Sequence, residues 1–322
     1  MNFWEAQKRA RSKTWIYIIL FIILTLIVAA LAEVAMRFFA GEDYSTSFPY
    51  VGLIFIAITF TTASFEYMQF CVHGGSYVAE AVGAYYLDPS TKDPHERKLL
   101  NIVEEIAIAS SLPIPPVYIL DTKQINAFAA GVSKDNAAIT VTAGTLMLLN
   151  RDELQGVVAH EFGHIYNEDM KISMRLAAMC MGFFFILYFA LRILQFSRFR
   201  DREEKGGNPI MIAALIFLIA GAFTWIFGSL LKAAVSRERE YLADACAVQF
   251  TRNPDGIANA LRKIANESEV NQMPKSGMSY THLYLDDRGG FSQLFATHPP
   301  LKKRIEAIEG RKYLPDEWKA GL

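Results

Sequence analysis

Val158-Ala159-His160-Glu161-Phe162-Gly163-His164 sets the reading of the whole chain. Its His-Glu-x-x-His spacing has a mechanical meaning on a helix, where residues four apart stand one above the other on the same face. Two imidazoles so placed reach one metal ion. Glu161 beside them is placed to take a proton from a water held at the metal's open position. Local signals support the helix: Asn150 followed by Glu153 forms a capping box, and apolar residues follow at helical spacing. The pentapeptide also arises by chance, its histidines then being ordinary core or surface residues, so the surrounding chain has to decide.

The chain has 322 residues, enough for one or two domains, and 52% of them are hydrophobic, which is high for a soluble protein of this size. A net charge of -1 gives no overall field directed at nucleic acid, and no glycine pattern points to a nucleotide. Cys71, Cys180 and Cys246 are odd in number and far apart, and form neither a metal spacing nor a disulfide framework. Composition points to a membrane.

Four apolar segments follow one another. Lys8, Arg9, Arg11 and Lys13 precede a run from Trp15 to Ala32 that is long enough to cross a bilayer. Ala30-Leu31-Ala32 resembles a signal-peptidase site, so a cleaved signal peptide is the rival reading of this run. A second segment extends from Tyr50 to about Cys71, a third from about Leu176 to Leu191 and a fourth from Pro209 to Leu231. The first connection holds Glu42 and Asp43 and no Lys or Arg, which places the N-terminus on the cytoplasmic side.

Between the second and third segments, Lys92 to Ser111 reads as an amphipathic helix and Val117-Tyr118-Ile119-Leu120 as a short strand. Asn126 to Gly131 and Asn136 to Thr142 read as a hairpin running directly into the helix that bears His160. Such a hairpin is either purely structural or offers an edge to an extended peptide. The histidine helix has no evident stop at His164 and continues towards the third apolar run.

Spacing ties a distant acid to the motif. His164 lies 12 residues before the third run, about 18 Å of helix, and Glu240 lies 9 after the fourth, about 14 Å. If the two runs form a membrane hairpin, His160, His164 and Glu240 return to a similar height, and Glu240 becomes the natural third ligand. Asp244, four residues on and on the same face, suits a partner that orients a ligand histidine.

These residues resemble the HtpX-type membrane metallopeptidases, in the gluzincin family that also contains the CAAX prenyl endopeptidases. The resemblance rests on His160-Glu161-Phe162-Gly163-His164, Ser236-Arg237-Glu238-Arg239-Glu240-Tyr241-Leu242-Ala243-Asp244, Asn126-Ala127-Phe128, and Thr297-His298-Pro299-Pro300 with Arg304. It implies a mainly α membrane protein with a small β-sheet, a zincin-like metalloprotease domain with about four transmembrane or hairpin helices. It also implies one Zn2+ per chain on His160, His164 and Glu240, with Glu161 as general base, and the degradation of damaged membrane proteins as part of a stress response. Asn126, Ala127 and Phe128 become the substrate-binding edge strand, and His298 and Arg304 approach the site. The partners expected are protein substrates and the lipid bilayer, with no nucleic acid or nucleotide.

The domain reading follows: residues 1–72 a membrane region with two spans, 73–171 a first catalytic part, 172–231 a membrane hairpin, and 232–322 a second catalytic part. Arg198, Arg200, Arg202 and Lys205 in the third-to-fourth loop oppose its placement outside, so a shallow re-entrant hairpin stays open. A prenyl-protein endopeptidase and a non-catalytic metal-binding membrane protein are the alternatives, and Glu161 argues against the second because a structural site needs no general base. Both termini and the catalytic side are expected in the cytoplasm of a prokaryotic cell. A reporter fused after Leu322 should accordingly behave as cytoplasmic and the N-terminus remain uncleaved by mass spectrometry, whereas a chain starting at Glu33 would invert this topology.

Overall fold

A computed structural model describes residues 3–197, 209–267 and 300–310. In order, the elements are α1 (Phe3–Ala40), α2 (Tyr50–Ala81), β1 (Tyr85–Tyr86), α3 (Pro94–Ser110), β2 (Val117–Leu120), β3 (Ala127–Ala130), β4 (Ala138–Thr142), α4 (Ala143–Leu148), α5 (Arg151–Asn167), α6 (Asp169–Ser197), α7 (Pro209–Thr251), α8 (Pro254–Glu267) and α9 (Leu301–Glu309). The protein is mainly helical with one small sheet. Its contacts divide it into two units: residues 1–11, 69–174 and 233–322, and residues 12–68 and 175–232. Arg198, Arg200, Arg202, Lys205 and His298 lie outside the described residues.

The second unit holds the apolar parts of α1, α2, α6 and α7, and among the described residues these four helices are long and apolar enough to cross a bilayer. All four exceed the expected runs; α1, for one, extends from Phe3 to Ala40 because polar flanks continue the helix. The helices meet through small residues, as membrane helices do where backbones must approach. A Cβ on Gly52 would come within 2.9 Å of the Ala29 carbonyl oxygen, and one on Gly182 within 2.6 Å of that of Thr59. Val28, Phe55, Ile186 and Phe217 fill the interior, while Ile19, Ile23, Ile27, Phe65, Phe189 and Ile219 face outward, as a lipid solvent permits. The buried Glu33 has a clear task here: its carboxylate accepts from the Val51 and Gly52 N–H groups at 3.0 and 3.2 Å, capping the start of α2.

The first unit is built on a four-stranded sheet in the order β1-β2-β4-β3. β2 and β4 are parallel, Val117 opposite Ile139, and β3 and β4 form the expected antiparallel hairpin, Ala127 opposite Val141. Strand β1, two residues long, has no counterpart in the sequence reading. Asp93 caps α3, accepting from the His95 and Glu96 N–H groups, with Pro94 at the first helical position. Leu99, Ile102, Val103 and Ile106 of α3 meet Leu154, Val157 and Phe162 of α5 and Ile257 and Leu261 of α8 in one core.

Two close approaches fix this unit. α2 breaks at Gly74 (φ 63°), and Gly75 then lies so near the hairpin that a Cβ would fall 2.2 Å from the Ala130 carbonyl oxygen. On α5, a Cβ at Gly156 would fall 2.5 Å from the Ile257 nitrogen, and one at Gly256 would fall 2.5 Å from the Asp152 oxygen, so α5 and α8 cross glycine against backbone. Gly156→Ala should therefore lower the melting temperature of the detergent-solubilised protein, at a cost of about 1–3 kcal/mol typical of overpacking. A wild-type melting temperature would show that α8 shifts away freely.

Candidate metal centre

α5 starts as its sequence requires. Asn150 Oδ1 accepts from the Glu153 N–H at 2.9 Å, and Glu153 accepts from the Asn150 N–H at 2.8 Å. Lys263 of α8 pairs with the same Glu153 at 2.7 Å. Ten residues into the helix stands His160, followed one turn later by His164.

α7 runs past this face. Gly163 lets it come close: a Cβ there would lie 2.9 Å from the Ala243 Cα. The absence of a side chain between the two histidines thus allows Glu240 and Asp244, one turn apart on α7, to reach them. One atom each of His160, His164 and Glu240 lie within 4.8 Å of one another. His160 Nε2 is 3.4 Å from Glu240 Oε2, and His164 Nε2 is 3.5 Å from Glu240 Oε1.

These spacings suit an ion. Ligand atoms held tetrahedrally at about 2.1 Å from a metal lie about 3.4 Å from one another. Two imidazole nitrogens and a carboxylate oxygen are also a zinc-type donor set with room for a fourth ligand. The charge count agrees, since among the described residues four buried acids, Glu161, Asp169, Glu240 and Asp244, face the two buried guanidiniums of Arg239 and Arg304. A divalent cation balances that excess.

Asp244 holds His160 from behind, Oδ1 lying 2.9 Å from Nδ1 and leaving Nε2 towards Glu240. Arg304, fully buried on α9, grips Asp244 with two prongs: Nη2 donates to Oδ1 at 2.7 Å and Nε to Oδ2 at 2.9 Å. Its Nη1 lies 3.2 Å from Glu240 Oε2. Burial works against a charged Asp244, yet Arg304 and His160 hold its carboxyl down at about 2. Burial and the Arg304 charge work against a proton on His160, and hydrogen bonds to Asp244 and Glu240 outweigh them, pushing it up to about 9. A positive charge is drawn to this ring whether proton or metal supplies it.

Glu161 is buried beside the histidines, and the Arg304 guanidinium is drawn to its charge. Asn126 lies at the foot of β3, pinned by threonines: its N–H donates to Thr145 Oγ1 at 2.7 Å, and its carbonyl accepts from the Thr142 N–H at 3.0 Å. That second bond fixes the register. Alternate residues of an antiparallel strand face opposite sides, so Asn126, Phe128 and Ala130 turn their backbone groups to β4, and Ala127 and Ala129 turn theirs away. β3 is the last strand of the sheet among the described residues, and Ala127 to Ala130 are buried.

The structure thus brings together His160, Glu161, His164, Glu240, Asp244 and Arg304. His298 lies outside the described residues. The sequence reading passed over two residues. Asp169 Oδ2 lies 3.6 Å from His164 Nδ1, and Arg239, next to Glu240, donates from Nη1 to the Asp169 carbonyl oxygen at 2.8 Å. Their approach depends on a break the continuous-helix expectation did not include. α5 ends at Asn167, Glu168 turns left-handed (φ 59°), and α6 starts afresh at Asp169.

The sequence model of peptidase family M48 matches residues 93–312. The "Protease HtpX homolog" of Dictyoglomus turgidum is 34% identical over 99% of this chain and 97% of that relative. Its counterpart in Ligilactobacillus salivarius is 39% identical over 66% of this chain and 72% of the relative. Among solved structures, the crystal structure of S. mikatae Ste24p is similar at 17% identity with a TM-score of 0.49, covering 92% of this chain and 67% of that one.

Proposed function

We propose that this chain, which belongs to peptidase family M48 and is a membrane metalloprotease, holds one zinc ion on His160, His164 and Glu240 and uses Glu161 as its general base. Its substrates in this reading are damaged or misfolded membrane proteins, cleaved on the cytoplasmic side. The observation that carries the catalytic part is the pairing of a ligand-spaced triad with a buried carboxylate, Glu161, next to its first histidine on the same helix.

Zinc bound there supplies Lewis acidity to the scissile carbonyl and to the attacking water. The chain's own residues do the rest. Glu161 takes the proton from the water and returns it to the departing amine, which keeps proton traffic on one short path. Asp244 fixes the tautomer of His160, so that Nε2 keeps its lone pair for the ligand position. Arg304 holds Asp244 ionised and in place, and α9 therefore acts on the site through two carboxylates.

Substrate is held as an added strand on β3. Ala127 and Ala129 turn their N–H and C=O groups away from β4, the pattern that an extended peptide pairs with. Main-chain hydrogen bonds bind any sequence alike, which suits an enzyme that clears diverse damaged proteins.

Two experiments test the reading. Casein digestion by the detergent-purified protein should fall about 10²–10⁴-fold in Glu161→Gln while zinc stays bound, as measured by elemental analysis. His160→Ala, His164→Ala and Glu240→Ala should instead lose the metal. Near-normal turnover in Glu161→Gln would exclude the mechanism, and full zinc in Glu240→Ala would move the third ligand elsewhere. Separately, Ala127→Pro and Ala129→Pro remove only outward N–H groups, so cleavage should drop with melting temperature and zinc retained, whereas Phe128→Pro removes a ladder bond and should destabilise the hairpin. If the two alanine variants cleave casein at the wild-type rate, β3 does not bind substrate.

A further inference from the structure

We propose that Asp169 is the positioning residue for His164, the counterpart of Asp244 at His160. The inference rests on the reading of His164 as a ligand. The two histidines are arranged alike: each directs Nε2 at Glu240 and Nδ1 at a carboxylate. For His160 the backing distance is 2.9 Å, and for His164 it is 3.6 Å, longer than a hydrogen bond.

The Asp169 oxygen involved is buried, and it has no hydrogen-bond donor among the described residues. A buried carboxylate oxygen without a donor is costly; His164 Nδ1 lies 3.6 Å from it, while the nearby Arg239 guanidinium donates to the Asp169 carbonyl oxygen and to Ser173. With Nδ1 protonated and donating to Asp169, Nε2 is the nitrogen left with a lone pair. The surrounding chain holds Asp169 to this place. The left-handed turn at Glu168 starts α6 directly beside the end of α5, and Arg239 fixes the Asp169 carbonyl from α7. The same guanidinium reaches Ser173 Oγ at 3.4 Å, one turn further along α6. The residue next to Glu240 thereby sets the position of the carboxylate behind His164.

The test is zinc affinity of the full-length, detergent-solubilised protein, measured by competition with a chromogenic chelator. Asp169→Asn preserves size and should weaken zinc binding about 10–100-fold, the usual effect of losing such a partner, with the melting temperature of the zinc-free protein unchanged. Asp169→Glu, which keeps the carboxylate, should recover part of the affinity. Glu168→Gln removes an exposed charge from the same helix start and should bind zinc like wild type. Equal weakening in Glu168→Gln, or a lowered zinc-free melting temperature in Asp169→Asn that accounts for the whole loss, would reduce Asp169 to a helix-start charge and overturn the proposal. His164→Ala separates the two readings. If it loses zinc while Asp169→Asn binds normally, only the role of Asp169 fails; if His164→Ala itself binds zinc normally, the ligand set fails first.

Discussion

The two-pronged pair between Arg304 and Asp244 is the interaction on which the metal centre depends. Glu240 and Asp244 stand one turn apart on α7 and are both almost wholly buried. Two carboxylates so placed repel one another, and neither is compensated by water. Arg304 answers both, with two hydrogen bonds to Asp244 and an ion pair to Glu240. Removing one partner of such a buried set typically costs about 3–5 kcal/mol, a large share of the stability of any domain. The charges are therefore tied to the fold: α9 must dock for α7 to present its acids, and α7 must present them for His160 to be held in one orientation.

Close approach of backbones is the second requirement, and glycine meets it at each contact. Gly163 admits α7 to the histidine face, Gly156, two turns earlier on the same stripe of α5, meets α8 at Gly256 and Ile257, and Gly75 brings the end of α2 onto the hairpin. The histidine helix is thus held along one stripe by two elements that could not come so near a larger residue. A helix held this closely has little freedom to rotate, which keeps the two imidazoles in register with Glu240. The same device recurs in the membrane unit at Gly52 and Gly182, where small residues replace the hydrophobic drive that lipid removes.

How much was legible in the sequence divides along the range of the interactions. The capping box at Asn150, the histidine pair and the β3–β4 hairpin are written in residues within a few positions of one another, and they form as expected. Glu240 needed a longer argument, the return of the chain through two apolar runs, yet that too is countable. Arg304 is different. It lies 60 residues beyond Asp244 with no periodic signal linking them, and only family resemblance pointed to it. Asp169 was hidden for another reason. Helix breaks are expected at glycine or proline, and the break here falls on Glu168, a residue that enters the left-handed region only when its surroundings hold it there. Asn167 donating to the Gly163 carbonyl oxygen at 2.8 Å helps to close α5 at that point.

That break has a geometric consequence for the reaction. A continuous helix would carry residue 169 away from His164, since five positions is more than one turn and directs the side chain off the shared face. By ending α5 and restarting at once, the chain turns Asp169 back towards the imidazole without a connecting loop. The lower histidine is thereby supported from the first turn of α6 and the upper one from α7 and α9. Each histidine then has a carboxylate behind it, and the stiffness of that arrangement is set by helix packing. Rigid support of this kind is what keeps a constellation of side chains preorganised.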